Sequence, residues 1–342
     1  VGILRTGRRH RRNSSISART AKHLIQECIE SFGQQENLLL FESNGDHSTT
    51  ITGLKKELAL TGLSDPSGAS QTRAALNVKI ENTPEARPQT GLDQADVVWE
   101  EVVEGQITRF LAMFNSQSPA TLGPIRSVRL TDPNIVWPVG GIFAFSGGAK
   151  YALDGIAKAP VVLVDETRAG SAMFRDRSRR APHNLFARGP LLVGRAPGAV
   201  GPPPALFDYG APSGRPATSA TIGFHGIYAV HWQYDPASRR WLRSIFGRPD
   251  VAASGARLGA TNVVVEAVQY QGGAGVIGAE AELVGQGRVW VLSAGQVTVG
   301  TWRRSSASDP GQLIGTDGTP IVLAPGPTWV ELPDVSYPIT IP

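Results

Sequence analysis

"ADVVWEEVVEGQITRFLAMF", residues 95–114, sets two runs rich in β-branched and aromatic side chains on either side of Gly105-Gln106. Two residues with glycine first, between runs of that kind, predict a β-hairpin closed by a type II′ turn. Glu104 then stands opposite Ile107. In that register Val97, Trp99, Glu101, Val103, Phe110 and Phe114 share one face, while Glu100, Glu104 and Arg109 share the other. The second set reads as a solvated ion-pair group that contributes little to stability. Glu101 is different, because a carboxylate on an apolar face needs a partner or a function. A structural ion pair is the first reading for it, and a ligand or catalytic role is the second.

The same texture extends to both sides of the hairpin. "ALNVKI" (75–80) is a strand, "GGIFAFSGG" (140–148) is a buried strand running into the helical "AKYALDGIAKA" (149–159), and "PVVLVDE" (160–166) is the next strand. Residues 191–220 form a Gly/Pro/Ala-rich linker. Beyond it the pattern is β throughout, through "GIYAVHWQYD", "RRWLRSIF", "TNVVVEAVQYQ" and "GRVWVLSAGQVTVGTWRRSS". "GQLIGTDGTPIVL" turns at Asp317-Gly318, and "PTWVELP" (327–333) is expected to close the C-terminal sheet. The 39 glycines and 25 prolines among 342 residues exceed the ordinary combined share of about 12%, which favours short strands joined by many turns. The expected organisation is a basic head with a short helix and tether over 1–62, an α/β domain over 63–190, the linker over 191–220 and a β-rich domain over 221–335. The fold class is α/β (α+β), with a mixed-sheet, sandwich-like N-terminal part.

The net charge of +4 is unevenly placed. Residues 1–26 carry Arg5, Arg8, Arg9, Arg11, Arg12, Arg19 and Lys22 with no acid, so removing these seven leaves the remainder at −3. A slightly acidic folded part has no electrostatic footing for nucleic-acid binding, and only the head could hold a polyanion. Residues 1–16 read as disordered. Leu24, Ile25, Cys28, Ile29 and Phe32 fall on one helical face that stops at Gly33. Cys28 is the sole cysteine, which excludes an internal disulfide and a cysteine-based zinc site. No apolar run approaches the ~18 residues of a membrane span. The sequence as written is expected to carry no export signal, and its Val1 points to a GTG start or a fragment.

Several polar residues stand out as candidates for chemistry. In "GPIRSVRLTD" (123–132), Arg126 and Arg129 are three apart, and one turn of helix would aim both guanidinium groups the same way. Such planar forks suit carboxylate or phosphate oxygens. Asp132 precedes Pro133 and marks a turn or helix start. Ser146, in "FAFSGGAK", is a cap or donor at a strand–Gly-Gly–helix junction able to hold an anion. It does not fit the hydrolase elbow, because Ala144 occupies the first glycine position. "RDRSRRAPHNLF" (175–186) gathers Arg175, Asp176, Arg177, Arg179 and Arg180 before ending on His183 and Asn184. That segment reads first as a polar brace, then as an anion contact, and last as a site with His183 as general base. His183, His225 and His231 are the only histidines beyond the tether, so no metal site stands out, and no cofactor motif is present. Trp232, Trp241, Trp290, Trp302 and Trp329 lie on strand-like runs where core packing is the default.

Taken together, "ALNVKIENTPEARPQTGLDQADVVWEEVVEGQITRF", "GPIRSVR", "FAFSGG", "FRDRSRRAPHN", "GTW" and "APGPTWVEL" resemble the YerB-like bacterial lipoproteins, a two-part family of unknown function. The likeness spans roughly 63–190 and 221–333. It implies an α/β sandwich-like fold and a membrane-anchored, extracytoplasmic protein, and it supplies no catalytic residues. The chain departs from the family at its front, where an export signal and lipid-attachment cysteine would precede a polar tether; membrane contact would then need an anchor missing here or lying upstream. The reading reached from sequence is a non-catalytic envelope protein binding an anionic small molecule, an envelope polymer or a protein partner. Its candidate site is Glu101, Arg126, Arg129, Asp132, Ser146, Arg175, Asp176, Arg180, His183 and Asn184. The alternative is an enzyme acting on anionic envelope glycans, with His183 as base.

Overall fold

A computed structural model describes residues 40–43, 49–52, 56–196 and 200–342. The helix expected over 18–32 and the disordered reading of 1–16 lie outside these residues. Leu40–Ser43 and Thr49–Thr52 pair as an antiparallel hairpin. Residues 57–342 form a separate compact unit.

The hairpin at 95–114 is present with a different register. Strands β1 (Leu76–Glu81), β2 (Val97–Val102) and β3 (Thr108–Phe114) pair antiparallel through β3, with Glu101 opposite Arg109 and Glu81 opposite Arg109 on its other side. The turn takes three residues, Glu104–Gln106, not two, and Val103 N donates to Ile107 O at 2.8 Å. Gly105 and Gln106 both sit at left-handed φ values of 75° and 61°. Tertiary contacts hold this shape: Gly105 N donates to Gly275 O, the Gln106 amide donates to Ala274 O, and the Tyr337 hydroxyl donates to Gln106 Oε1. The extra turn residue shifts every cross-strand pair by one. Phe110 and Phe114 therefore share a face with Glu100, and Arg109 shares a face with Glu101, the reverse of the expectation. Both faces are buried.

The remaining strands extend this hairpin into an 11-stranded mixed sheet. On one side β1 is followed by parallel β4 (Ile142–Ala144) and β5 (Val162–Val164). On the other side, β2 pairs with β12 (Thr328–Leu332), which is followed outward by β9 (Asn262–Glu266), β10 (Gly285–Ser293) and β11 (Gln296–Arg304). The strand expected to close a C-terminal sheet, β12, lies at the centre and runs parallel to both β2 and β9. Its five residues are all buried, as an inner parallel strand covered on both faces requires. The boundary expected at 191–220 thus separates two lengths of chain, not two sheets. That stretch contributes Arg215–Pro216 to the sheet's outer edge beside β11.

A six-stranded sheet built on β6 (Ser219–Ile222), β7 (Val230–Asp235) and β8 (Arg240–Ile245) covers the Glu100 face. The Trp232 ring meets that of Trp329 at 5.4 Å, and the Arg243 guanidinium lies 5.3 Å from the centre of the Phe110 ring. The opposite, Glu101 face is closed by the strap 123–131, the short helix α1 (Asp132–Val136) and the hairpin of Met173–Arg175 with Leu185–Ala187. The result is a mixed α/β, sandwich-like architecture. Because β1, β2, β4 and β12 are parallel to one another, their C-terminal ends meet at one edge.

Candidate functional site

Carboxylates collect at that edge on both faces of the sheet. Glu81 ends β1, Glu100 and Glu101 come late in β2, and Glu331 comes late in β12 opposite Glu100. Adjacent residues on a strand point to opposite faces, so Glu101 and Glu100 enter two different charge clusters.

On the first face, the Lys79 ammonium is fully buried and pairs with Glu101 and with Asp132 Oδ1, the latter at 2.7 Å. Glu101 is paired, as a buried carboxylate must be, but its partner is Lys79 and neither Arg126 nor Arg129. Asp132 opens α1 and also accepts from Arg129 N at 2.7 Å. One cation against two carboxylates in a dry site leaves an excess negative charge. Burial, reinforced by Glu101, pushes the Asp132 carboxyl up despite Lys79. Beside this triad, Glu81 holds Arg126 at 3.1 Å through one oxygen and His183 Nδ1 at 3.0 Å through the other. Glu104 accepts from Nε and Nη2 of the Arg129 guanidinium, and Arg109 lies 3.6 Å away. Burial works against the Glu104 charge, but the Arg129 hydrogen bonds and the Arg109 charge outweigh it and hold the carboxyl low. Burial, with Arg129 alongside, brings Arg109 down to about 10.

Arg126 and Arg129 do not share a helical turn. Residues 123–129 run as an extended strap: Arg126 N donates to Lys79 O, Ile125 N to Leu185 O, and Ser146 N to Arg126 O. An extended chain of that kind sends the two guanidinium groups to different carboxylates. Ser146 is not a helix cap either. The helix α2 (Lys150–Ile156) starts after Ala149, and the Ser146 hydroxyl lies 3.4 Å from that of Ser127.

The 175–186 segment divides between brace and surface. His183 reaches Glu81, and through it shares a partner with Arg126. Arg175 forms a two-pronged pair with Glu166 at 2.8 and 2.6 Å and donates to the buried Asn184 Oδ1 at 2.8 Å. Arg179 donates to Ala86 O and Pro88 O. The Asp176 carboxylate accepts from the backbone N–H and hydroxyl of Ser178 and forms no hydrogen bond or close ion pair with the guanidinium groups of the neighbouring arginines. Arg177 and Arg180 are exposed, and neither guanidinium has a partner among the described residues. The expected gathering is thus real for His183, Arg126, Arg129, Glu101 and Asp132. Arg175, Asp176 and Asn184 form a separate local lock, and Arg180 stays in solvent.

The second face holds a cluster that the sequence reading missed. Arg243 is fully buried between Glu100, at 2.6 Å, and Asp250; Arg87 also pairs with Asp250. Glu331 Oε1 accepts from the Trp232 indole at 2.8 Å. Burial and the neighbouring Glu100 hold the Glu331 carboxyl well above its usual range. Burial alone would loosen the Arg243 proton, but Glu100, Asp250 and Glu331 together more than offset it. The only advance signal was the paired glutamates of "VVWEEV", which alternation must divide between two faces.

A parallel-centred sheet of 11 strands, with its acids gathered at one edge and its two lengths of chain joined by a central strand, defines a two-part mixed α/β class. Residues 60–199 match the model described as "Protein of unknown function (DUF3048) N-terminal domain", and residues 220–330 match its C-terminal domain. The chain belongs to this YerB-like family. A relative from Bacillus subtilis (strain 168), named "Putative lipoprotein YerB", is 39% identical over 138 residues, 40% of this chain and 41% of the relative. The matched region thus spans less than half of that protein. The crystal structure of the YerB protein from Bacillus subtilis superposes with a TM-score of 0.73 at 24% identity, over 83% of this chain and 99% of that one. This likeness shows the fold.

Proposed function

We propose that this chain is a non-catalytic, extracytoplasmic envelope protein that binds an anionic ligand or partner through the 175–183 loop. The envelope location rests on the relative's name as a lipoprotein. The binding mode rests on one contrast. Arg87, Arg109, Arg126, Arg129 and Arg243 are each paired with a carboxylate, whereas Arg177 and Arg180 stand exposed without a partner among the described residues. The paired arginines are held in place by those carboxylates. Two unpaired guanidinium groups on one loop can turn to a ligand. Titration with inorganic polyphosphate at two salt concentrations tests this. The double variant Arg177→Ala/Arg180→Ala should bind several-fold more weakly, with a shallower salt dependence and an unchanged melting temperature. Equal affinity in the variant, or no binding by the parent chain, would refute the reading.

The enzyme alternative draws on the Glu81–His183 pair. A carboxylate on Nδ1 orients an imidazole and leaves Nε2, which has no partner among the described residues, to take a proton. Under this reading the parent chain cleaves a uronate-containing polymer and His183→Ala abolishes that turnover. Absence of turnover by the parent chain removes it.

A further inference from the structure

A second polar site lies on the Glu101 face of the sheet but toward β9 and β11, apart from the loop of the proposed function. Trp99, Phe207, Glu266 and Trp302 line a narrow pit whose volume is about 30 Å3. A single water needs about 10–15 Å3 by the same kind of measure, so the pit admits a group of about two non-hydrogen atoms. A depression of about 530 Å3 shares Arg303, Arg304 and Gln312 with it. The sheet register puts Trp99, Glu266 and Trp302 on one face: Val330 lies between Val264 and Trp99, Glu266 is two residues from Val264, and Trp302 pairs with Gly287, two residues from Val289, the partner of Glu266. Arg303 and its partner Gln312 alternate to the other face and meet the pit only at its rim.

Two polar groups in the pit are left without partners. The Trp99 indole N–H, on a residue 7% exposed, has no acceptor, and the Glu266 carboxyl, on a residue 8% exposed, has no hydrogen bond or close ion pair among the described residues. Buried polar groups are ordinarily satisfied. Neighbouring groups that could have served are already committed. The Trp302 indole donates to Ala267 O, and Arg304 donates to Asn134 O, Ser306 O and Ala307 O. At the rim Arg303 and Gln312 are exposed, and neither side chain has a partner among the described residues.

We propose that this is a saccharide subsite, in which the pit takes the exocyclic hydroxymethyl group of a hexose and the depression takes the ring. A hydroxymethyl group has two heavy atoms, which is the size of the pit. Its hydroxyl both donates and accepts, so it satisfies a carboxylate acceptor and an indole donor at once. An acid placed on the same sugar meets Arg303. A bare cation fits less well, because the Arg304 guanidinium already acts on the Glu266 carboxyl.

The test follows the Trp99 indole N–H signal by nitrogen–proton NMR on the full chain, assigned with Trp99→Phe, during titration with glucose 1-phosphate, glucose and xylose. Xylose lacks the hydroxymethyl group. Glucose should shift the signal saturably, with xylose about tenfold weaker, the equivalent of one good hydrogen bond. Glucose 1-phosphate should bind more tightly than glucose, and that advantage should vanish in Arg303→Ala, an exposed substitution that leaves the fold intact. Equal responses to glucose and xylose, or an indole signal that exchanges only with water, would overturn the proposal. Loss of polyphosphate binding in Arg177→Ala/Arg180→Ala leaves this titration untouched, so the two readings fail separately.

Discussion

At the scale of single residues, the two faces of β2 show how a carboxylate survives burial. Glu101 and Asp132 share one ammonium, so Lys79 is the residue on which both depend. Replacing Lys79 with Met strands two buried charges and is expected to cost about 3–5 kcal/mol near neutral pH. The loss should shrink in acid, where the Asp132 carboxyl, already pushed up by burial, takes a proton; urea unfolding at several pH values measures it. Glu266 makes the opposite prediction. Burial raises its carboxyl to about 7 from an ordinary 4.5, despite the Arg304 charge. The folded chain therefore binds a proton that the unfolded chain has lost between these values. Stability is full below about 4.5 and falls as pH rises through 7. Glu266→Gln should thus gain up to about 3 kcal/mol at pH 8 and nothing at pH 4. A variant equally stable with the parent at both pH values contradicts the assignment.

At the scale of elements, the central hairpin carries the clearest lesson. Its existence, its strands and the need to pair Glu101 were legible in 95–114, because composition and alternation report burial locally. Its register was not. The third turn residue is held by Ala274, Gly275 and Tyr337, more than 160 positions away, and no local pattern announces them. The same limit hid Lys79 and Glu81. In β1 the polar Asn77, Lys79 and Glu81 alternate with Leu76, Val78 and Ile80, which reads as one solvated face until the strap 123–131 and α1 cover it. Arg126 and Arg129 were found by residue type and misplaced by the helical spacing assumed for them. The register is open to a direct check. Val103 and Ile107 are a hydrogen-bonded pair, so Glu100 with Phe110 and Val102 with Thr108 are close, non-hydrogen-bonded pairs. Strong Hα–Hα cross-peaks are expected between those two pairs. Cross-peaks from Glu101 to Phe110 would restore the two-residue turn.

At the scale of the whole molecule, β12 ties the two lengths of chain together by lying between β2 and β9. Removing either length opens an inner parallel strand with both faces apolar. Residues 57–342 should therefore unfold in one transition, coincident by far-UV circular dichroism and tryptophan fluorescence, and residues 200–342 alone should not fold. The buried ion pairs belong to this same assembly. Arg243 from the smaller sheet reaches Glu100 of the larger, and His183 carries the 172–188 hairpin onto β1 through Glu81. These charges brace the fold, and the binding proposed for the exposed Arg177 and Arg180 does not draw on them. The most direct measurement is the urea-unfolding free energy of His183→Ala, taken with its polyphosphate affinity. Removing the imidazole leaves one Glu81 oxygen unpaired at a buried edge, so a loss of about 1–3 kcal/mol with affinity unchanged is expected. Unchanged stability with weakened binding would contradict it and make His183 a ligand-facing residue.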